Sequence, residues 1–352
     1  MAQAGARLVA DTVELGIIGL APLAGTFWRY LDLLSRADRL LAAWRPDVVV
    51  TIDNPGFHFL LASRVRARQV PLLWYIPPQL WAWAPWRVGK LKRRFSHVAC
   101  IFPHEERFFR ERGVPVTFVG NPVVDHLRVF ALDRAFLASL RERPGERLVA
   151  LLPGSRRQEV GPILAKQLAV ARALQERHGP SRLVLALAAE EHRPWARDAL
   201  AAGGLEVRTV VGRTHEVQAA ADLALVASGT ATLELACYET PMVVFYNISP
   251  TQWHLLGRWL LTTPYLSLPN ALAGRAIVPE FMLDTAPGSD VIECASRLLV
   301  DPAAREEVKK ALAEVHRGID RPGASENAAR VVLDLVGTRP PPLGPWRPGF
   351  GL

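Results

Sequence analysis

Three short segments that end an apolar, β-rich run, and a fourth that follows a helical stretch, carry residues able to move a proton or hold a phosphate. In Thr51-Ile-Asp-Asn-Pro-Gly-Phe57 the run delivers Asp53 to a turn, where a carboxylate serves as a helix cap or as a general base. In Leu151-Leu-Pro-Gly-Ser-Arg156, Gly154 lets the backbone come close to a ligand, and Ser155 and Arg156 stand at the mouth of the next helix. Free N–H groups and a planar guanidinium there suit phosphate oxygens, although the same letters describe an ordinary strand-to-helix turn. In Ala227-Ser-Gly-Thr-Ala-Thr-Leu-Glu234, the residues Ser228, Gly229, Thr230, Ala231 and Thr232 offer a nest of donors for a diphosphate. Glu234, one turn on, is placed for a ribose diol or for a capping box. In Pro264-Tyr-Leu-Ser-Leu-Pro-Asn-Ala-Leu-Ala-Gly-Arg275, Asn270 carries a donor and an acceptor for a sugar, a phosphate or its own turn.

Apolar β-rich runs alternate with helical patterns along most of the chain, which predicts α/β architecture with parallel, doubly wound sheets. Strands are expected over 47–52, 70–76, 97–102 and 115–119, with helices over 25–44, 57–67, 86–94 and 104–112. Charge, Pro and Gly interrupt the pattern at Arg141-Glu-Arg-Pro-Gly-Glu146, and a second series follows, with strands near 148–152, 182–188, 206–211, 222–227 and 242–246 and a long helix after Pro250. The expected division is therefore a first domain over 1–144, a second over 145–337 and a Pro/Gly-rich tail over 338–352. In such sheets ligands bind beyond the carboxyl ends of the strands, where the first three segments fall.

With 352 residues, half of them hydrophobic and 22% charged, the chain has apolar side chains enough for two cores. Cys100, Cys237 and Cys294 lack the close pairs of metal or redox motifs, and no HExxH-type spacing occurs, so no metal and no cofactor is expected. The early apolar stretch from Leu15 to Trp28 is too short and too rich in Gly and Pro to span a bilayer. Walker A and dinucleotide glycine motifs are absent, which removes kinases and dehydrogenases. The net charge of +8 is mostly scattered Arg without a nucleic-acid motif, so nucleic acid is not an expected partner. The densest basic cluster, Arg87, Lys90, Lys92, Arg93 and Arg94, follows a Trp-rich loop and reads as a solvated helix face or as a contact to phosphate or anionic lipid.

These four segments, with Pro78-Gln-Leu-Trp-Ala-Trp83 and Phe118-Val-Gly-Asn-Pro122, resemble the lipid-A-disaccharide synthase family in order and spacing from about residue 2 to residue 335. The resemblance implies a GT-B fold, two Rossmann-like domains facing a cleft. It implies an inverting glycosyltransferase that moves 2,3-diacylglucosamine from UDP-2,3-diacylglucosamine to the 6-hydroxyl of 2,3-diacylglucosamine 1-phosphate. The products are UDP and the β-1′,6 disaccharide that founds lipid A and so lipopolysaccharide. Peripheral work at the cytoplasmic face of the inner membrane is implied, and a homodimer is among the family's states.

By position, Asp53, Arg156 and Asn270 match the family's essential aspartate, arginine and asparagine, as base, balance for UDP charge and orienter. Ser228 to Thr232 and Glu234 match its diphosphate and ribose contacts. Ile17, Ile18, Phe27 and Trp28, with Gln79, Trp81 and Trp83, fall on the acceptor or membrane side. Gly56 stands where the family commonly has a second aspartate, and Pro77 where it commonly has serine, so acceptor identity is weaker than nucleotide identity. The resemblance also begins after the family's first strand and its glycine-rich loop, which makes the first domain incomplete on this reading. Rival readings are another UDP-sugar enzyme of the same architecture, such as an epimerase, or a non-catalytic membrane-surface protein.

Overall fold

The computed structural model describes residues 5–9, 23–246, 263–282 and 287–338. Ile17, Ile18, the side chain of Phe27, the helix expected after Pro250 and the tail beyond 338 lie outside the described residues. By packing, the chain forms two compact units, one of residues 1–80, 85–119 and 324–352, the other of 81–84 and 120–323.

In the first unit, strands β1 (Val49–Ile52), β2 (Leu72–Tyr75), β3 (His97–Cys100) and β4 (Val116–Phe118) form a parallel sheet in the order β1-β2-β3-β4. Helices α1 (Leu23–Trp44), α2 (Pro55–Ala67), α3 (Val88–Arg94) and α4 (Pro103–Glu111) alternate with them. An aromatic stack fixes this core: Trp74 lies 4.4 Å from Phe95 and 4.8 Å from Phe59, centroid to centroid. Such pairs add roughly 0.5–1.5 kcal/mol beyond the area they bury. The fully buried Glu105 accepts the backbone N–H groups of Ile101 and Phe102, both at 3.2 Å, and so shapes the turn after β3. At the sheet edge, Val50 and Ile52 stay 40% and 37% exposed.

In the second unit, helices α5 (Pro122–Val129) and α6 (Arg134–Ser139) precede β5 (Leu148–Leu152), α7 (Arg157–His178), β6 (Arg182–Leu187), α8 (Arg193–Gly203) and β7 (Arg208–Val211). Then come α9 (Thr214–Ala220), β8 (Leu223–Ala227), α10 (Thr230–Cys237), β9 (Met242–Tyr246), α11 (Leu268–Ala273), β10 (Glu280–Met282), α12 (Ser289–Val300) and α13 (Pro302–Ile319). The sheet is parallel in the order β10-β9-β8-β5-β6-β7. Every residue of β5, β8 and β9 is buried, as strands covered on both faces require. The winding direction reverses between β5 and β8, and at such a switch point the loops leave a crevice for a ligand.

The packing boundary lies at 119/120, whereas the sequence placed it at 144. The charged Pro-Gly stretch is a surface turn within the second unit: Arg141 reaches Asp222 Oδ2 and Ala220 O, each at 2.8 Å, and donates to Glu146 O at 3.0 Å. The last helix among the described residues, α14 (Ala324–Leu335), packs with the first unit instead of the second. Its Ala328 and Val331 cover Leu73, Ala99 and Val119, and Asn327 Nδ2 donates to Val119 O at 2.9 Å.

Candidate functional site

Two strand-to-helix turns meet at the switch point of the second unit. Gly154 adopts φ +97°, and a Cβ there would stand 3.2 Å from Glu159 Oε2 and 3.4 Å from Ala227 Cβ, so only glycine lets the turns pack this closely. After it the backbone extends through Arg156, and α7 opens at Arg157. Ser228 N donates to Phe245 O at 3.0 Å, which holds the second turn against β9 before α10 opens at Thr230. The two turns and the tips of β6 and β7 enclose a cavity of about 490 Å³. Gly154, Ser155, Arg156, Ser228, Gly229, Thr230, Ala231 and Glu234 all line it. Two helix N-termini therefore aim free N–H groups and the positive ends of their dipoles at one space.

The charged side chains here are tethered loosely. Arg156 Nη1 meets Glu159 Oε1 at 2.8 Å with the guanidinium half exposed. An exposed pair of this spacing is worth about 0.5 kcal/mol, so Glu159 holds the guanidinium weakly. Glu234 Oε2 accepts from Gln218 Nε2 at 2.8 Å, which orients the half-buried carboxylate. Gly212, Thr214 and His215 line the far end.

Two expected site residues turn away from the cavity. Thr232 is buried, and its hydroxyl donates to Gly229 O at 2.8 Å, closing the first turn of α10. Asn270 is fully buried. Its Oδ1 accepts from Ile277 N at 2.7 Å and Val278 N at 2.9 Å, and its Nδ2 donates to Val278 O at 2.8 Å. The amide therefore builds the turn at 277–278, the second of the two readings the sequence offers for this residue, and Asn270 is not among the residues that line the cavity.

In the first unit Asp53 sits exposed at the tip of β1, with φ +53°, and Asn54 follows with φ +42°. Left-handed backbone costs a non-glycine residue roughly 1–2 kcal/mol. Surrounding bonds hold it there: Asp53 N donates to Tyr75 O at 3.2 Å, while Asp53 O accepts from His58 Nδ1 at 2.6 Å and Trp74 Nε1 at 3.3 Å. Burial holds His58 below its ordinary pKa, against the raising pull of Asp53. Asn54, not Asp53, is the cap of α2, its Oδ1 accepting from Phe57 N at 3.4 Å. The neighbouring strand tip is strained too: the β-branched Ile76, just past β2, has φ +57°.

Gln79, Trp81 and Trp83 are half-buried, and Trp81 and Trp83 pack with the second unit. Trp28 and Trp86 are exposed, at 69% and 63%. On α3, Lys90 stands 5.3 Å over the Phe59 ring, and Arg94 Nη1 donates to Phe59 O at 2.6 Å. Burial, then Arg94, Arg87 and Arg93, push the Lys90 ammonium below its usual pKa, which marks this as a concentrated positive face. Sequence reasoning missed Glu159, Gln218 and His215. The three-residue spacing from Arg156 to Glu159 was a usable helical signal; nothing in the sequence linked Gln218 to Glu234.

Comparison with known proteins adds the following. The profile of the family described as lipid-A-disaccharide synthetase matches residues 1–331. A lipid-A-disaccharide synthase of Geobacter sulfurreducens is 34% identical over 342 residues, covering 96% of this chain and 88% of the relative. One from Pseudomonas fluorescens is 37% identical over 327 residues, covering 92% of this chain and 85% of its own. Among solved structures, a putative UDP-N-acetylglucosamine 2-epimerase from Listeria monocytogenes superposes with a TM-score of 0.62 at 15% identity, covering 91% of this chain and 82% of that one. The fold is GT-B, with parallel α/β sheets in both units. Among the described residues no helix is long and apolar enough to cross a membrane.

Proposed function

The chain belongs to the lipid-A-disaccharide synthetase family and is a glycosyltransferase, and from that premise we propose that it joins two acylated glucosamines with Asp53 as base and the second-unit cavity as the seat of UDP. The donor is UDP-2,3-diacylglucosamine and the acceptor 2,3-diacylglucosamine 1-phosphate. Asp53 takes the proton of the acceptor 6-hydroxyl as that oxygen attacks the anomeric carbon from the face opposite UDP. The bond from the anomeric carbon to the phosphate oxygen breaks, the configuration inverts to β, and the electron pair leaves on UDP. Arg156 and the N–H groups of the two turns balance that charge, and Glu234 takes the ribose diol. Asn270 acts at one remove, by setting the turn at 277–278.

The observation that carries this reading is one cavity receiving two helix N-termini, an exchangeable arginine and an oriented glutamate. The exposed Trp28 and Trp86 and the basic face of α3 support peripheral binding to the cytoplasmic face of the inner membrane, where acylated substrates reside. The test is a mass-spectrometric assay with acylated UDP-glucosamine and its acylated 1-phosphate partner, alongside UDP calorimetry. Wild type binds UDP, and Arg156→Ala weakens that binding about tenfold or more. Equal UDP affinity in both proteins removes Arg156 as the phosphate clamp, and a full rate with unacylated sugars overturns the substrate assignment.

A further inference from the structure

One polar cluster behind the cavity belongs to none of the roles above. Tyr246, the last residue of β9, is buried among the apolar residues of the second core, yet its hydroxyl points into a group of polar atoms. Glu280 Oε2 lies 3.4 Å from the phenol oxygen, and the hydroxyls of Ser228 and Ser267 face it. The bond to Glu280 is long, so the cluster is loosely strung. Glu280 in turn holds the chain before α11: its Oε2 accepts from Ser267 N at 2.8 Å and its Oε1 from Leu266 N at 3.2 Å. Ser228 lines the cavity; Ser267 and Glu280 anchor the segment that carries Asn270. The phenol is the shared neighbour of both.

We propose that Tyr246 is a positioning residue that couples the Ser228–Ala231 turn to the 264–274 segment, so that engagement of a nucleoside diphosphate at the turn also fixes that segment. The inference rests on the reading of the cavity as a UDP site. A phenol is suited to the task because it donates one proton and accepts another at the same oxygen. Burial, reinforced by the charge of Glu280, keeps it protonated over the whole working range, so Tyr246 always has a proton to give to Glu280 while it accepts from Ser228 or Ser267. A ligand that draws Ser228 toward the cavity changes which serine the phenol can accept from. The change passes through Glu280 to the N–H groups of 266 and 267. Deleting the hydroxyl leaves both ends intact and cuts only the link.

The experiment is hydrogen exchange on the full chain with and without UDP, in wild type, Tyr246→Phe and Ser267→Ala, followed by kinetics with the acylated substrates. In wild type, UDP slows exchange both at 228–232 and at 264–274. In Tyr246→Phe the protection at 228–232 remains, UDP affinity stays within about threefold, protection at 264–274 is lost, and kcat falls about tenfold with little change in donor KM. Ser267→Ala removes one small buried hydroxyl and reproduces the pattern in weaker form, which covers the case of a poorly folding Tyr246→Phe. Undiminished protection at 264–274 in both variants overturns the coupling. Wild type without UDP binding overturns the nucleotide reading instead, a result distinct from the first because no variant is needed to see it.

Discussion

Asn54 takes the capping task that the sequence offered to Asp53. A carboxylate after a strand reads equally as cap or base, and spacing cannot separate the two; with Asn54 as the cap and Asp53 exposed, the proposed role of Asp53 as base keeps its support. Asp53→Asn keeps size and backbone preference, so kcat is expected to fall about 100-fold or more while UDP affinity holds. An active Asp53→Asn enzyme makes the residue structural. Asn54→Ala loses the cap and puts a Cβ without a polar partner at φ +42°, for a cost of about 1–2 kcal/mol that thermal melting can read. Asn54→Gly loses only a few tenths, since glycine accepts that backbone. The buried roles were less legible. Glu280 and Asn270 act on backbone groups 7–14 residues away along an irregular stretch, and no residue type signals such a partner in advance.

The strands β5 to β9 of the second unit are legible to within about two residues, because a parallel strand covered on both faces appears in sequence as an uninterrupted apolar run, whereas the short edge strand β10, partly exposed, is not. The allegiance of helices was not readable. An amphipathic pattern states that a helix buries one face but not against what, so α14 was assigned to the domain next to it in sequence and in fact covers β2 and β3. Likewise α5 and α6 precede the Pro-Gly turn yet pack within the second unit. Val331→Asp, which places an unpaired charge under α14, is expected to destabilise the first unit by about 2 kcal/mol or more. Hydrogen exchange should localise the loss to β2 and β3. Faster exchange confined to 148–246 would instead show that α14 serves the second unit.

At the scale of the molecule, acid acts on the first unit through its buried histidines. His58, His97 and His104 all lie in the first unit, and burial holds each below the ordinary imidazole value, His104 at about 4. The folded unit keeps these rings neutral while the unfolded chain protonates near 6.5, so their stabilisation is full above 6.5 and is lost as pH falls below it, for His104 progressively down to about 4. The fall for His104 alone amounts to about 3 kcal/mol, at 1.36 kcal/mol per pKa unit. His104→Phe should flatten the acid limb of a pH–stability curve for the first unit, and an unchanged limb removes His104 as its cause. The split of that unit between 1–119 and 324–352 bears on how the protein is made. On the ribosome, Leu73, Ala99 and Val119 emerge early, but Ala328 and Val331 follow only after residues 120–323 have been synthesised, a delay of tens of seconds at about 5–20 residues per second. The second unit can therefore finish folding while the sheet that carries Asp53 still has a bare apolar face, and the nascent chain must shield that face from its neighbours until α14 arrives.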